Sequence, residues 1–420
     1  MSWFESRRVV ITGLGLITPL GLNTETTWTN LTAGKSAVRT IKGFDTHGLP
    51  CTIAGEISND PNNGFNPEGY VAARDVKKMA RFIQYGVAAA QEAVNDSGID
   101  LATTEEQGII AGVCMGSGIG GLGNIEEGAK DLANKKHISP FFIPSTLINL
   151  LAGQVSIRHK ITGPNMALAT ACTTGTHALG EAARIIMSGQ ADVMIAGSAE
   201  SSITPLGVRG FCACNALSTH FNNDPTKASR PWDKDRDGFV MSEGAGVVVL
   251  EEYEQAKKRG AKIYAEVAGY GLSGDGHHIT SPHPEGKGAR LCIERAIKSA
   301  KINYEDVDYI NAHGTSTQLG DRIELDVVQD LFFEKNKSVL MSSTKSSLGH
   351  MLGAAGSVEL ILCALSVRDN VVPPTINLDA PIESKINLVP HIAVSAKLNY
   401  VLSNSFGFGG TNASIVLKRV

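Results

Sequence analysis

The sequence predicts an α/β fold with largely parallel strands, arranged as two similar halves, and three observations carry that reading. Short β-branched or apolar runs alternate with helix-patterned stretches along the whole chain, the signature of strands joined by crossover helices. The same order of signals occurs twice. An early strand runs into glycines, at Ile11-Thr12-Gly13-Leu14-Gly15 and again at Val267-Ala268-Gly269-Tyr270-Gly271. A later strand hands a reactive residue to a helix start, at Ala169-Thr170-Ala171-Cys172 and at Ser342-Ser343-Thr344-Lys345, and each half closes on a hairpin with glycines at its bend. Third, 42% hydrophobic against 19% charged residues in a chain of 420 leave ample material for a large core.

In chain order, the first half offers strands at Arg8–Thr12, Gly108–Val113, Met166–Thr170, Val193–Ala196 and Val247–Glu251. The second half offers Tyr264–Gly269, Val307–Ala312, Val339–Ser343, Val401–Ser405 and Ala413–Lys418. Helical patterning falls at Lys77–Asp96, Thr173–Ser188, Gly288–Ala300, Arg322–Glu334 and Gly353–Arg368. The glycines after the two early strands read as tight turns. The seam lies near Gln255–Lys262 and divides the chain into 1–255 and 256–420. No Pro/Ser-rich linker marks it, so the halves are expected to share one core and act as one catalytic unit.

Bulk properties exclude several function classes. A net charge of −4 with no long run of Lys or Arg argues against nucleic-acid binding. Seven cysteines, odd in number and scattered, do not make a disulfide framework. Cys212 and Cys214 form the only close pair and lack the partners of a zinc site. The N-terminus shows no apolar or amphipathic leader, and no apolar run could span a bilayer, so the expectation is a cytoplasmic protein with no membrane contact.

Cys172 ends a small-residue strand and opens a helix at Thr173-Thr174-Gly175, where the helix dipole is expected to favour thiolate. His313, in Asn311-Ala312-His313-Gly314, and His350, in Leu348-Gly349-His350, also follow strands; a helix start should keep His350 neutral. Strand C-terminal ends are where open α/β sheets bind ligands. Between Lys345 and Arg368, Glu359 is the only formally charged side chain, so it is expected to be buried with a partner such as Lys345. Asn404 to Asn412 is a Gly-rich bend with two aromatics, Phe406 and Phe408, and has no Walker lysine. Gly13-Leu14-Gly15 is not a dinucleotide fingerprint, because position 18 is Thr and Pro19 follows.

Together these motifs resemble the thiolase-fold condensing enzymes, and within them the elongating, type II β-ketoacyl-[acyl-carrier-protein] synthases. Thr170-Ala171-Cys172, Ser229-Arg230-Pro231-Trp232-Asp233, Asp237-Gly238-Phe239, Asn311 to Thr317, Thr344-Lys345-Ser346 with Gly349-His350, and Asn404 to Asn412 carry the resemblance over nearly the whole chain. It implies a thiolase-like α/β fold: two pseudo-duplicated βαβαβαββ halves in a layered α-β-α-β-α core. It also implies a Cys172, His313, His350 arrangement and ping-pong decarboxylative condensation. Lys345 and Glu359 would be supporting charges, and the N–H groups of Cys172 and Phe408 an oxyanion hole with Phe408 as gate. Thr315 and Thr317 would contact the pantetheine arm, and Ile119, Phe211 and Phe406 the substrate pocket. Some relatives hold a monovalent cation near positions matching Asn311 and Glu359; no metal is expected here.

No cofactor is expected, because substrates arrive on the phosphopantetheine of an acyl carrier protein. The expected partners are that carrier protein and a second copy in a homodimer. Carrier proteins are acidic, so docking should use a basic patch; Arg74, Lys77, Lys78 and Arg81 have spacings that would share one face of an early-starting helix. Two departures from the family pattern, Gln318-Leu319 and Leu348, fall near the site; a third, Asn215, stands where the family often supplies an Arg to the carrier protein, with Arg209 nearby in sequence. The alternatives are a polyketide-type ketosynthase and a non-catalytic partner subunit.

Overall fold

The computed structural model describes residues 7–420, so the first six residues, on which the expectation of no leader partly rests, lie outside the described residues. Ten strands form one mixed sheet: β1 (Val9–Ile17), β2 (Ala111–Gly116), β3 (Asn165–Met166), β4 (Val193–Glu200), β5 (Gly244–Glu252), β6 (Ala265–Gly274), β7 (Tyr309–Asn311), β8 (Leu340–Ser342), β9 (Tyr400–Gly407) and β10 (Thr411–Lys418). Their order is β8-β7-β9-β10-β6-β1-β5-β4-β2-β3. The order mirrors itself about the β6–β1 junction, where Val10 lies opposite Glu266 and Ile11 opposite Ala265. In each half the first strand pairs antiparallel with the last, and the last antiparallel with the fourth. The fourth, second and third strands then run parallel. The expected duplication is therefore present, but "largely parallel" is corrected: the closing strands β5 and β10 run antiparallel to both of their neighbours, and β1 pairs antiparallel with β6.

Side-chain alternation along the strands sets the layers. On β4, Val193 and Ile195 face α1 (Arg81–Ser97) and α2 (Asn149–His159), while Met194 and Ala196 face the opposite way. There they meet α3 (Thr174–Met187) and α6 (Ala355–Asp369), which pack on each other between the halves. The other face of the second half is covered by α4 (Lys287–Ala300), with α5 (Gln318–Phe332) beside it. The two halves of the sheet lie on opposite sides of the α3–α6 pair, which gives the five-layered α-β-α-β-α, thiolase-like arrangement. Every residue of α6 from Ala355 to Val367 is buried, as a central-layer helix requires. Among the described residues, no helix is long and apolar enough to cross a membrane.

Two expectations change. Gly13, Gly15, Gly269 and Gly271 are not turns; they lie inside β1 and β6. A Cβ at Gly13 would sit 2.1 Å from the Ala93 carbonyl, and one at Gly271 2.0 Å from that of Cys292. The glycines let α1 and α4 rest directly on strand backbone. The helix expected from Lys77 begins at Arg81, after a separate turn Ala73–Val76 and an extended Ala80. The Gln84 amide fixes this break by donating to the carbonyls of Met79 (3.0 Å) and Val76 (3.3 Å). The strand expected at Met166–Thr170 is regular only at Asn165–Met166, and Ala167 to Thr170 lead into the turn that follows.

Candidate active site

A short 3₁₀ turn, Ala171–Thr173, carries Cys172 into α3. Ala171 has φ +50°, a left-handed conformation that costs a residue with a Cβ about 1–2 kcal/mol. Hydrogen bonds hold it there. Thr170 N donates to Thr174 Oγ1 and Thr174 Oγ1 to the Ala171 carbonyl, both at 2.8 Å. Thr173 Oγ1 donates to the Thr411 carbonyl at 3.0 Å, tying this turn to the hairpin that carries Phe408. Gly407 completes the approach: a Cβ there would lie 2.6 Å from Thr173 Oγ1 and 3.2 Å from Cys172 N. The sulfur faces the N–H groups of Phe408 and of Cys172 itself.

The expectation that the helix start favours thiolate at Cys172 meets an opposing effect, because the residue is half-buried at the cavity wall. Burial pushes the thiol up to about 11; the Lys345 ammonium and the two N–H groups pull it down, and the Glu200 carboxylate pushes it up. Desolvation in this pocket opposes the helix end. The histidines behave as expected, although burial, and then Lys345, is the cause: both are held well below the usual imidazole range. Their rings lie 5.4 Å apart and nearly perpendicular. Leu352 N–H donates to His350 Nδ1 at 3.3 Å, which places the His350 proton on Nε2.

Lys345 and Glu359 pair in the interior, each 2% exposed. Burial pushes Glu359 up to about 7 while Lys345 draws it down. Asn311 Oδ1 and Glu359 Oε2 are buried without a hydrogen-bond partner. Two such oxygens fit the donor chemistry of the monovalent cation some relatives hold.

Cys172, His313, His350, Thr315, Thr317, Ile119, Phe211, Phe406 and Phe408 all line one cavity of about 490 Å³. The Thr315 and Thr317 hydroxyls are 3.0 Å apart at its side. Phe211 packs edge-on to Phe239, and Phe239 edge-on to His350, at 5.4 and 5.2 Å. The basic patch is not brought together as expected. Arg74 and Lys77 are exposed, but Lys78 pairs with Asp75 at 2.6 Å. Arg81 turns its guanidinium onto the rings of Phe65 and Tyr85, each 5.0 Å away. Arg209 donates to the Gly48 carbonyl at 2.9 Å, and Asn215 lies at the cavity.

Three buried carboxylates were missed. Glu324 accepts from His313 N (2.8 Å) and Gly314 N (2.7 Å) and so fixes the His313 turn. Asp321 accepts from Ser316 N and Trp232 N at 3.0 and 2.9 Å. Glu200 holds the segment bearing Ile119. The available signals were Asp321 and Glu324 just after the His-Gly-Thr-Ser-Thr run, and an acid closing the apolar run Val193 to Ala199.

Residues 6–256 match the family model for the β-ketoacyl synthase N-terminal domain, and residues 264–379 that for the C-terminal domain. The chain is 54% identical over 98% of its length to the 3-oxoacyl-[acyl-carrier-protein] synthase 2 of Rhizobium meliloti (strain 1021), and covers 99% of it. It is 45% identical over its whole length to the mitochondrial 3-oxoacyl-[acyl-carrier-protein] synthase of Arabidopsis thaliana, covering 95% of it. Among solved structures, a β-ketoacyl synthase from Burkholderia phymatum STM815 superposes with a TM-score of 0.88 at 32% identity, over 99% of this chain and 100% of that one. A chain of a complex between a type II polyketide acyl-carrier protein and its hexaketide-bound ketosynthase gives 0.89 at 31% identity, with the same coverage.

Proposed function

This chain belongs to the β-ketoacyl synthase family, and from that premise we propose how its own residues carry the reaction. It is an acyltransferase, a 3-oxoacyl-[acyl-carrier-protein] synthase, which joins an enzyme-bound acyl group to malonyl-[acyl-carrier-protein] with loss of CO₂. One observation supports the residue assignment above all: Cys172, His313 and His350 line the same cavity, and the sulfur faces the Phe408 N–H.

In the first half-reaction the Cys172 sulfur attacks the acyl thioester carbonyl. The S–C bond to phosphopantetheine breaks, and the proton of the neutral thiol leaves with the pantetheine thiol. The N–H groups of Cys172 and Phe408 hold the oxyanion. In the second, malonyl thioester binds and the neutral imidazoles donate to its carbonyl oxygen. The bond to the carboxylate breaks, CO₂ leaves, and the electron pair becomes an enolate. The enolate carbon attacks the acyl–Cys172 carbonyl, and Cys172 departs as the thiolate and regains a proton. The scheme needs no redox cofactor or metal, since decarboxylation supplies the drive.

In this reading burial, helped by Lys345 held at Glu359, keeps both imidazoles neutral. Thr315 and Thr317 grip the pantetheine arm, Ile119, Phe211 and Phe406 shape the substrate pocket, and Phe408 gates it. An acyl carrier protein docks beside Arg74 and Lys77. Two copies form a homodimer, for which the exposed edge strand β3 offers unpaired backbone, and the enzyme works in the cytoplasm. Mass spectrometry of products from a panel of acyl primers with malonyl carrier protein tests the function. The expected product is the 3-oxoacyl chain two carbons longer than each accepted primer. Products with several 3-oxo groups would favour a polyketide-type enzyme, and CO₂ release without condensation would sink the proposal.

A further inference from the structure

Glu200 closes β4 at 0% exposure, and every group that meets its carboxylate is a neutral donor. Ser117 Oγ donates at 2.9 Å, Gly118 N at 2.8 Å, Ile119 N and Gly120 N at 3.3 Å each. Ser202 Oγ donates at 3.0 Å and Gly353 N at 3.1 Å. These donors come from two places. Residues 117–120 carry Ile119 to the cavity wall, and Gly353 stands three residues after His350 in the turn whose Leu352 N–H fixes the imidazole. The two backbones meet at the carboxylate without spare room. A Cβ at Gly353 would lie 2.2 Å from Gly118 N, and one at Gly118 would lie 2.7 Å from Glu200 Oε2.

We propose that Glu200 is a positioning residue coupling the acyl-binding segment to the His350 turn, so that the primer beside Ile119 and the imidazole that stabilises the enolate share one support. The proposal rests on the roles given above to Cys172, Ile119 and His350. It makes Glu200 a determinant of primer length that acts through the backbone and touches neither substrate. A carboxylate suits the post because it offers lone pairs on both oxygens to donors from two directions, whereas an amide turns N–H groups toward one of them.

The test is Glu200→Gln, assayed beside the wild-type enzyme. Loss of one bond to a charged acceptor is worth about tenfold, so kcat/KM for a long primer relative to a short one should fall by about that factor. Malonyl decarboxylation should fall with it. The primer ratio separates coupling from mere loss of structure. A protein that is only less stable would lower all rates together and leave the ratio unmoved; that result overturns the proposal. If Glu200→Gln does not fold, Ser117→Ala removes one donor and must shift the primer ratio in the same direction by less, and an unchanged ratio there overturns it too. A wild type that condenses neither primer would instead overturn the function itself.

Discussion

Cys172 follows the edge strand β3 of the first half and Lys345 follows β8, its counterpart in the second, yet one is a half-buried thiol at the cavity and the other a fully buried member of an ion pair. The turns differ as well. Ala171 is forced to φ +50°, whereas Thr344 sits in ordinary helical conformation at φ −68°. The difference follows from reach. A thiol is short, so the backbone itself must bend to aim it at the cavity. A lysine spans the distance to Glu359 on its own stem and needs no strain. Desolvation then acts on both sides of the cavity in one sense: it pushes the thiol up and the imidazoles down, favouring the uncharged form of each proposed reacting group beside Lys345 and Glu359.

The sharpest way to break this comparison is at the strained turn. Cys172→Ala should remove every acyl adduct seen by intact mass and stop condensation, with the fold retained; an adduct on that variant would refute the nucleophile. The other side of the cavity comes next. His313→Ala and His350→Ala should each lower malonyl decarboxylation by about 10²–10³-fold, the loss typical of one oxyanion donor, while acylation of Cys172 stays measurable. Equal losses in both half-reactions would mean the two sides are not separate.

Lys345→Met tests the ion pair, since it strands the buried Glu359 carboxylate. Breaking a buried pair costs about 3–5 kcal/mol, so thermal unfolding should fall steeply and recover when Glu359→Leu is added. Removing the cation also raises both imidazole pKa values, so in the double variant the acid limb of the decarboxylation profile should move to higher pH. Ile119→Phe should be milder. Overpacking costs about 1–3 kcal/mol, and it should appear as a loss confined to long primers in kcat/KM. The smallest effect belongs to the surface. Reversing Arg74 and Lys77 should raise the apparent KM for carrier-linked substrates, more at low salt than at high, and leave a free pantetheine thioester unaffected. Equal losses with both substrates would move the docking site elsewhere.

What the sequence determined by itself was the inventory and its order. Cys172, His313 and His350 each stand where a strand gives way to a turn, Glu359 is isolated in an apolar helix, and the halves repeat their signals. Such features are local in the chain, and periodicity with flanking residues suffices to read them. What tertiary structure decided was everything that depends on a distant neighbour. Gly13 and Gly271 look like turn glycines until α1 and α4 are laid on them. The basic patch looked continuous until Gln84 closed the break before Arg81. The helix start favours thiolate at Cys172, and the opposing desolvation came only with the assembled pocket, because desolvation depends on what surrounds a group and not on its place in a helix. Glu200 and Glu324 carry no motif of their own. Their roles come from backbone N–H groups that folding brings together from residues as far as 153 positions apart, and a carboxylate's partners are set by the fold that buries it.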